Sequence, residues 1–190
     1  MKNINKSIEE LALDHKILLE DIPDIDLYMD QVIQLFDNKF SKSHSDEKVL
    51  TKTMINNYAK AKLFFPIKNK KYTKNHIILI SLIYHLKGAL SINDIKETLS
   101  GLNQKIIHNE NTNLEEIYSS FLHLNDLNYE KFNNDLQLIV ENVENELVDI
   151  NDESKAYYEQ LLLISSFVNV SNFYKTAAEK LVKDLMESHK

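Results

Sequence analysis

The 190-residue chain contains no cysteine, no tryptophan and no arginine, and only two glycines and two prolines. Without cysteine there are no disulfides, no zinc–thiolate sites and no thiol nucleophile. Glycine and proline punctuate turns and sheet edges, so their scarcity points away from β-rich folds and towards long helices. Long apolar runs are missing too. The longest, Ile77–Leu86 and Leu161–Val170, are interrupted by polar residues and fall short of the roughly 20 residues of a membrane span. The opening MKNINKSIEELALDHK mixes acids among its apolar residues, unlike a signal peptide. A soluble, cytoplasmic protein of one domain or two small ones is expected, with 43% hydrophobic residues to build its core.

Patterns that carry catalysis are equally sparse. None of the seven histidines has another four residues away, so a metal site has no support. There is no glycine-rich phosphate loop and no serine elbow. Glu9–Glu10 and Glu115–Glu116 are adjacent residues, which diverge on a helix and read as solvated faces. No enzymatic activity, metal or other cofactor is expected.

What is present is helical periodicity. Ser7 can cap a first helix with Ile8, Leu11, Ala12, Leu18 and Leu19 near one face, ending around Asp21–Pro23. Asp24 or Asp26 can cap a second, with Leu27, Val32, Ile33, Leu35, Phe36 and Phe40 as its apolar face. A polar linker follows at 41–48. Thr51 can cap a helix to about Lys62, with Met54, Ile55, Tyr58 and Ala61 on one side. Phe64, Phe65 and Pro66 end it. Residues 67–72 form a short basic loop suited to a two-stranded wing. Thr73 caps the next helix, with core positions Ile77, Ile80, Leu82, Ile83, Tyr84 and Leu86, and Gly88 ends it. Ser91 and Asp94 form a capping-box pattern before Ile92, Ile95 and Leu99. The remainder reads as helices at about 113–123, 126–148 and 152–188, the last with a possible break near Asn169–Ser171. The acidic run at 140–153 reads as a solvated face plus a turn. The apolar residues between Tyr157 and Tyr174 cover more than one helix face, which usually means burial in a core; a dimer interface and a small effector pocket are the alternatives.

Charge is distributed unevenly. Residues 48–76 hold eight lysines and no acid, while the other residues hold 14 lysines against 29 acids, a balance of -15. Such asymmetry points to a polyanionic partner, because clustered cations release the counterions of a phosphate backbone. The bland alternative is a solvated lysine-rich surface.

The stretch from Val49 to Leu99 orders a helix, a basic loop, a helix, a glycine turn and a capped helix. It resembles a MerR-type winged helix-turn-helix. Met54-Ile55-Asn56-Asn57-Tyr58 stands at the recognition-helix string, Leu63-Phe64-Phe65-Pro66 at its exit, Lys71-Tyr72 in the wing, and Gly88-Ala89-Leu90-Ser91-Ile92-Asn93-Asp94-Ile95 at the segment that follows. Asn56 stands where that family has arginine, and the wing has lysine in place of arginine. With IDLYMDQVIQLF at 25–36 followed by LTKTMINNYAK, the wider chain is similar to the family catalogued as domain of unknown function 1836.

The expected architecture is all-α: a MerR-like winged helix-turn-helix head with N-terminal helices and a small β-wing over 1–102, then a helical dimerisation or interaction domain over 103–190. The resemblance implies a dimeric transcriptional regulator that binds duplex DNA, with no membrane partner and with no effector named by any motif. The DNA-contacting residues would be Lys52, Thr53, Asn56, Asn57, Tyr58 and Lys60 on the helix, and Lys68, Lys70, Lys71 and Tyr72 in the wing. The alternative is a protein-interaction module that keeps the winged-helix fold without binding DNA.

Overall fold

Eight consecutive residues, His76 to Ile83, are buried, so the helix that carries them is enclosed on every side. This helix, α3 (Lys74–Leu86), is the axis of the protein. A computed structural model describes residues 13–40, 49–108, 110 and 112–188. Ser7 and most of the first expected helix lie outside these residues, as does Lys48. Within them the fold is mostly helical: α1 (Met29–Phe40), α2 (Lys52–Lys60), α3, α4 (Ile92–Ile107), α5 (Leu114–Glu146) and α6 (Lys155–Ser188), with one two-stranded sheet of β1 (Leu27–Tyr28) and β2 (Lys71–Tyr72). No helix among the described residues is long and apolar enough to cross a membrane.

The caps expected at Thr51 and Ser91 are present. Thr51 Oγ1 accepts the Met54 N–H at 3.1 Å, and Ser91 and Asp94 exchange reciprocal bonds at 3.2 and 3.3 Å. Several other boundaries differ. Residues 13–18 are not helical, and only a single 3-10 turn occupies Leu19–Asp21. Helix α1 begins at Met29, several residues after Asp24 and Asp26, because Leu27–Tyr28 is drawn into an antiparallel pair with β2. Gln31 Oε1 then accepts the Tyr28 N–H at 2.8 Å and serves as the cap. Helix α3 ends without a left-handed glycine at Gly88: Lys87 N–H bonds back to Ile83 and Leu90 N–H to Leu86. Helix α5 is unbroken where a gap was expected at 124–125, and α6 is unbroken at Asn169–Ser171.

The main core runs from Ile17 to Leu122 and gathers Val32, Phe36 and Phe40 from α1, Ile55 and Tyr58 from α2, Ile95 and Leu99 from α4, and Leu114, Tyr118 and Leu122 from α5 around α3. It therefore crosses the boundary expected at 102/103. Beyond it α5 and α6 extend as long helices, each about 50 Å at 1.5 Å per residue. A second, small cluster of Val143, Leu147 and Leu163 closes their turn end. The expectation that the 157–174 segment is core is not met. Only Leu163 and Val182 of α6 are buried.

One polar network crosses the main core. Tyr118 Oη donates to the Ile17 carbonyl at 2.7 Å and lies 2.8 Å from Ser81 Oγ, joining the N-terminal segment, α3 and α5. Burial pushes the Tyr118 phenol up to about 12. Tyr118→Phe leaves the Ile17 carbonyl and the Ser81 hydroxyl unpaired in the core. Denaturant unfolding should register a loss of about 1–3 kcal/mol, with the fold retained by circular dichroism.

Candidate nucleic-acid interface

Helix α2 is amphipathic over nine residues. Ile55 and Tyr58 point into the core, and Lys52, Thr53, Asn56, Asn57 and Lys60 are exposed. Their spacing of i, i+1, i+4, i+5 and i+8 makes one outward stripe. The inward face packs chiefly on α1. The C-terminal hairpin does not cover the stripe.

Helix α2 ends in a full Schellman motif. Leu63 N–H reaches the Tyr58 carbonyl at 3.0 Å, and Lys62 N–H reaches the Ala59 carbonyl at 3.0 Å. The motif needs a left-handed residue, and Lys62 fills that place at φ 59°. A non-glycine residue there costs about 1–2 kcal/mol. Asn103 of α4 buttresses this exit, its Nδ2 donating to the Leu63 carbonyl at 3.0 Å.

The basic loop is a tight hairpin. Lys71 N–H bonds to the Lys68 carbonyl at 2.9 Å across Asn69 (φ 52°) and Lys70 (φ 60°). Two left-handed central residues define a type I′ turn, whose twist matches that of paired strands. The wing expected within 66–73 thus exists as a bridge between Lys68 and Lys71, but its true strand partner is β1. In that pair Leu27 and Tyr72 are opposite and buried, and Tyr28 and Lys71 are opposite and face outward, with Lys71 Nζ 5.5 Å from the centre of the Tyr28 ring.

The hairpin is clamped at its base by His76. Its Nδ1 accepts the Thr73 N–H at 3.1 Å, so Nε2 carries the proton and donates to the Phe65 carbonyl at 3.2 Å. Phe64, Phe65 and Tyr72 surround the ring. Burial lowers the His76 pKa to about 4, against opposing contributions from the Phe65 and Pro66 backbone and from Asp26.

The structure removes two residues from the expected contact set. Tyr58 and Tyr72 are 5% and 1% exposed, and burial raises both phenol pKa values. They are core residues, because each occupies the inward position of its helix or strand. The remaining eight, Lys52, Thr53, Asn56, Asn57, Lys60, Lys68, Lys70 and Lys71, lie on α2 and the hairpin with side chains exposed or half-buried. Their charges are not equivalent. Lys52 pairs with Asp30 at 2.7 Å, and Lys74 pairs with Glu115 at 3.0 Å. Lys60, Lys62, Lys68 and Lys70 are exposed and form no ion pair among the described residues. Lys62 was missing from the expected set, since its left-handed place arises only from how α2 ends. The role of His76 had one local signal, its position three residues after the Thr73 cap.

A profile for the family described as Domain of unknown function (DUF1836) matches residues 17–121. The chain belongs to that family. The matched span coincides with the main core, Ile17 to Leu122, so the DUF1836 unit includes the first turns of α5 and excludes most of the C-terminal hairpin. No curated protein and no solved structure matches the chain significantly.

Two measurements test this geometry. Lys62→Gly should raise stability by about 1 kcal/mol in urea unfolding, since glycine enters the left-handed region freely. The second concerns pH. The folded pKa of His76 lies below that of the unfolded chain, so the unfolded state binds more protons between about pH 6.5 and 4. Its contribution is complete above pH 6.5 and is lost as pH falls through that window, by up to about 3 kcal/mol. His76→Gln should flatten the stability–pH curve there relative to the parent chain.

Proposed function

We propose that this DUF1836 protein is a dimeric DNA-binding transcriptional regulator of MerR-like winged-helix type. In this reading α2 enters the major groove, and the 68–71 hairpin lies along the adjacent phosphate backbone. The observation that carries it is a set of exposed lysines that form no ion pair among the described residues: Lys60 and Lys62 at the end of the polar stripe of α2, and Lys68 and Lys70 on the hairpin that follows. Two of them occupy left-handed positions, where the backbone favours glycine or asparagine. Lysine binds phosphate as a point charge, so these residues supply affinity and register but no base specificity. Asn56 and Asn57, exposed on α2, are the groups able to pair with adenine in a bidentate fashion. Lys52 is partly neutralised by Asp30, and Lys71 is stacked on Tyr28; both contribute less.

Dimerisation rests on α6. Among the described residues, eleven large hydrophobic side chains of this helix are exposed, and Tyr157, Leu161, Ile164 and Val168 recur at heptad a/d spacing. A single small module buries too little surface for specific affinity, so two copies suit a two-half-site operator.

The second reading, a protein-interaction module, draws on the absence of arginine and on the acidic remainder of the chain. Salt dependence separates the two. Four phosphate contacts per protomer in a dimer predict a slope of log affinity against log salt near roughly -7 on duplex DNA. Lys68→Ala with Lys70→Ala should flatten the slope and weaken all sequences alike. Asn56→Ala should instead relax preference at one base pair by about 1–3 kcal/mol. Duplex affinity that is indifferent to the lysine changes would transfer the function to the interaction-module reading. Sedimentation at micromolar concentration should give twice the 22.2 kDa chain mass, and Ile164→Asp with Val168→Asp should halve it.

A further inference from the structure

The C-terminal hairpin is closed at its turn end and open along its middle. Val143, Leu147 and Leu163 pack at the turn, with Ile139, Val140, Tyr158 and Phe167 against them. At the other end α6 returns against α4. Between these two contacts α5 and α6, with Leu13 of the N-terminal segment, line an open cleft of about 750 Å3. That volume lies in the range of small-molecule sites, and its lining is mostly apolar, as such sites are.

The lining is graded along the cleft. Leu136 and Ile139 of α5 and Phe167 of α6 form the inner end, towards the turn. Asn128 and Lys131 of α5 and Ser171 and Tyr174 of α6 form the outer end. The helices run antiparallel, so these four polar groups share one mouth. Lys131 Nζ donates to Tyr174 Oη at 3.2 Å, and this bond, with the nearby Asp135 carboxylate, holds its pKa above the ordinary value. From Lys131 to Ile139 is eight residues, about 12 Å of helix, the reach of a roughly ten-carbon chain. Asp135 also lines the cleft, one turn inward from Lys131. Its carboxylate bars an anion from the inner half.

We infer that the cleft between α5 and α6 is a binding site for an amphiphilic carboxylate of medium chain length. The alkyl chain lies between Phe167, Leu136 and Ile139, and the carboxylate is held at the mouth by Lys131 and the Tyr174 hydroxyl. The site is separate from the basic face of α2 and the hairpin. It is also distinct from the heptad stripe of α6, whose direction is roughly 100° away around the helix at 3.6 residues per turn. Its lining residues lie outside the family-matched span of 17–121.

The test is calorimetric titration of the full chain, without DNA, with decanoate, decanol and decyltrimethylammonium. Decanoate should bind saturably at one site per chain and more tightly than either analogue. Lys131→Met, which keeps the apolar stem, should weaken decanoate about tenfold and leave decanol unchanged, since one charge-assisted contact is lost. Asp135→Asn should tighten decanoate severalfold. Ile139→Trp should fill the inner end and abolish binding. Val170→Phe does the same from the opposite wall, should the first variant unfold. Tighter binding of the cation, undiminished binding in both filled variants, or no saturable binding at all would overturn the assignment. So would a change in sedimenting mass on filling the cleft, with no decanoate binding by the parent chain, since a second copy would then be its occupant. The Ile164 and Val168 changes leave the cleft lining intact, so a failure of the dimer reading is distinguishable from a failure here.

Discussion

Everything in the main core is arranged around the burial of α3. A helix with eight successive buried residues must be covered on all sides, and no single neighbour is wide enough to do it. Helices α1, α4 and α5 and the β1–β2 pair each take one sector. Two polar residues inside this apolar helix determine which neighbours fit. Ser81 meets Tyr118 and, through it, the Ile17 carbonyl. His76 joins the exit of α2 to the start of α3. A buried polar group left without a partner costs more than its hydrogen bond returns, so each of these residues favours the arrangement of segments that supplies its partners.

The basic surface follows from that clamp. With Phe65 and Thr73 tied to one imidazole, the intervening chain has to reverse within a few residues, and a type I′ turn does so with two left-handed positions. Helix α2 terminates through a third. All three left-handed non-glycine residues of the described structure therefore fall in the basic segment, on Lys62, Asn69 and Lys70. Backbone geometry turns Lys62 and Lys70 outward, where they form no ion pair among the described residues. The same geometry turns Tyr58 and Tyr72 inward.

The C-terminal half obeys a different balance. Helices α5 and α6 hold each other at the turn through a three-residue cluster and carry many exposed apolar side chains along their length. A helix of this length is maintained by its own hydrogen bonds once nucleated, but its apolar stripe needs a partner surface. The DUF1836 match stops within α5, where the shared core also stops.

The sequence by itself determined the helical class, the caps at Thr51 and Ser91, the solvated acidic turn and the outward stripe of α2, because these depend on contacts within four residues along the chain. It also revealed the charge asymmetry, which is independent of fold. Only the tertiary structure decided the rest. Pairing of Leu27–Tyr28 with Lys71–Tyr72 moved the start of α1, and no local pattern records a partner so far away in the chain. The inward turn of Tyr72 came from that same pairing, and Lys62 entered the site because α2 needed a left-handed end residue. Whether α6 was core or surface lay beyond periodicity, since an apolar face looks the same in sequence whether it is covered by its own chain or left open. The open cleft between α5 and α6 arises because packing at the turn and against α4 holds the two helices at their ends and not along their middle.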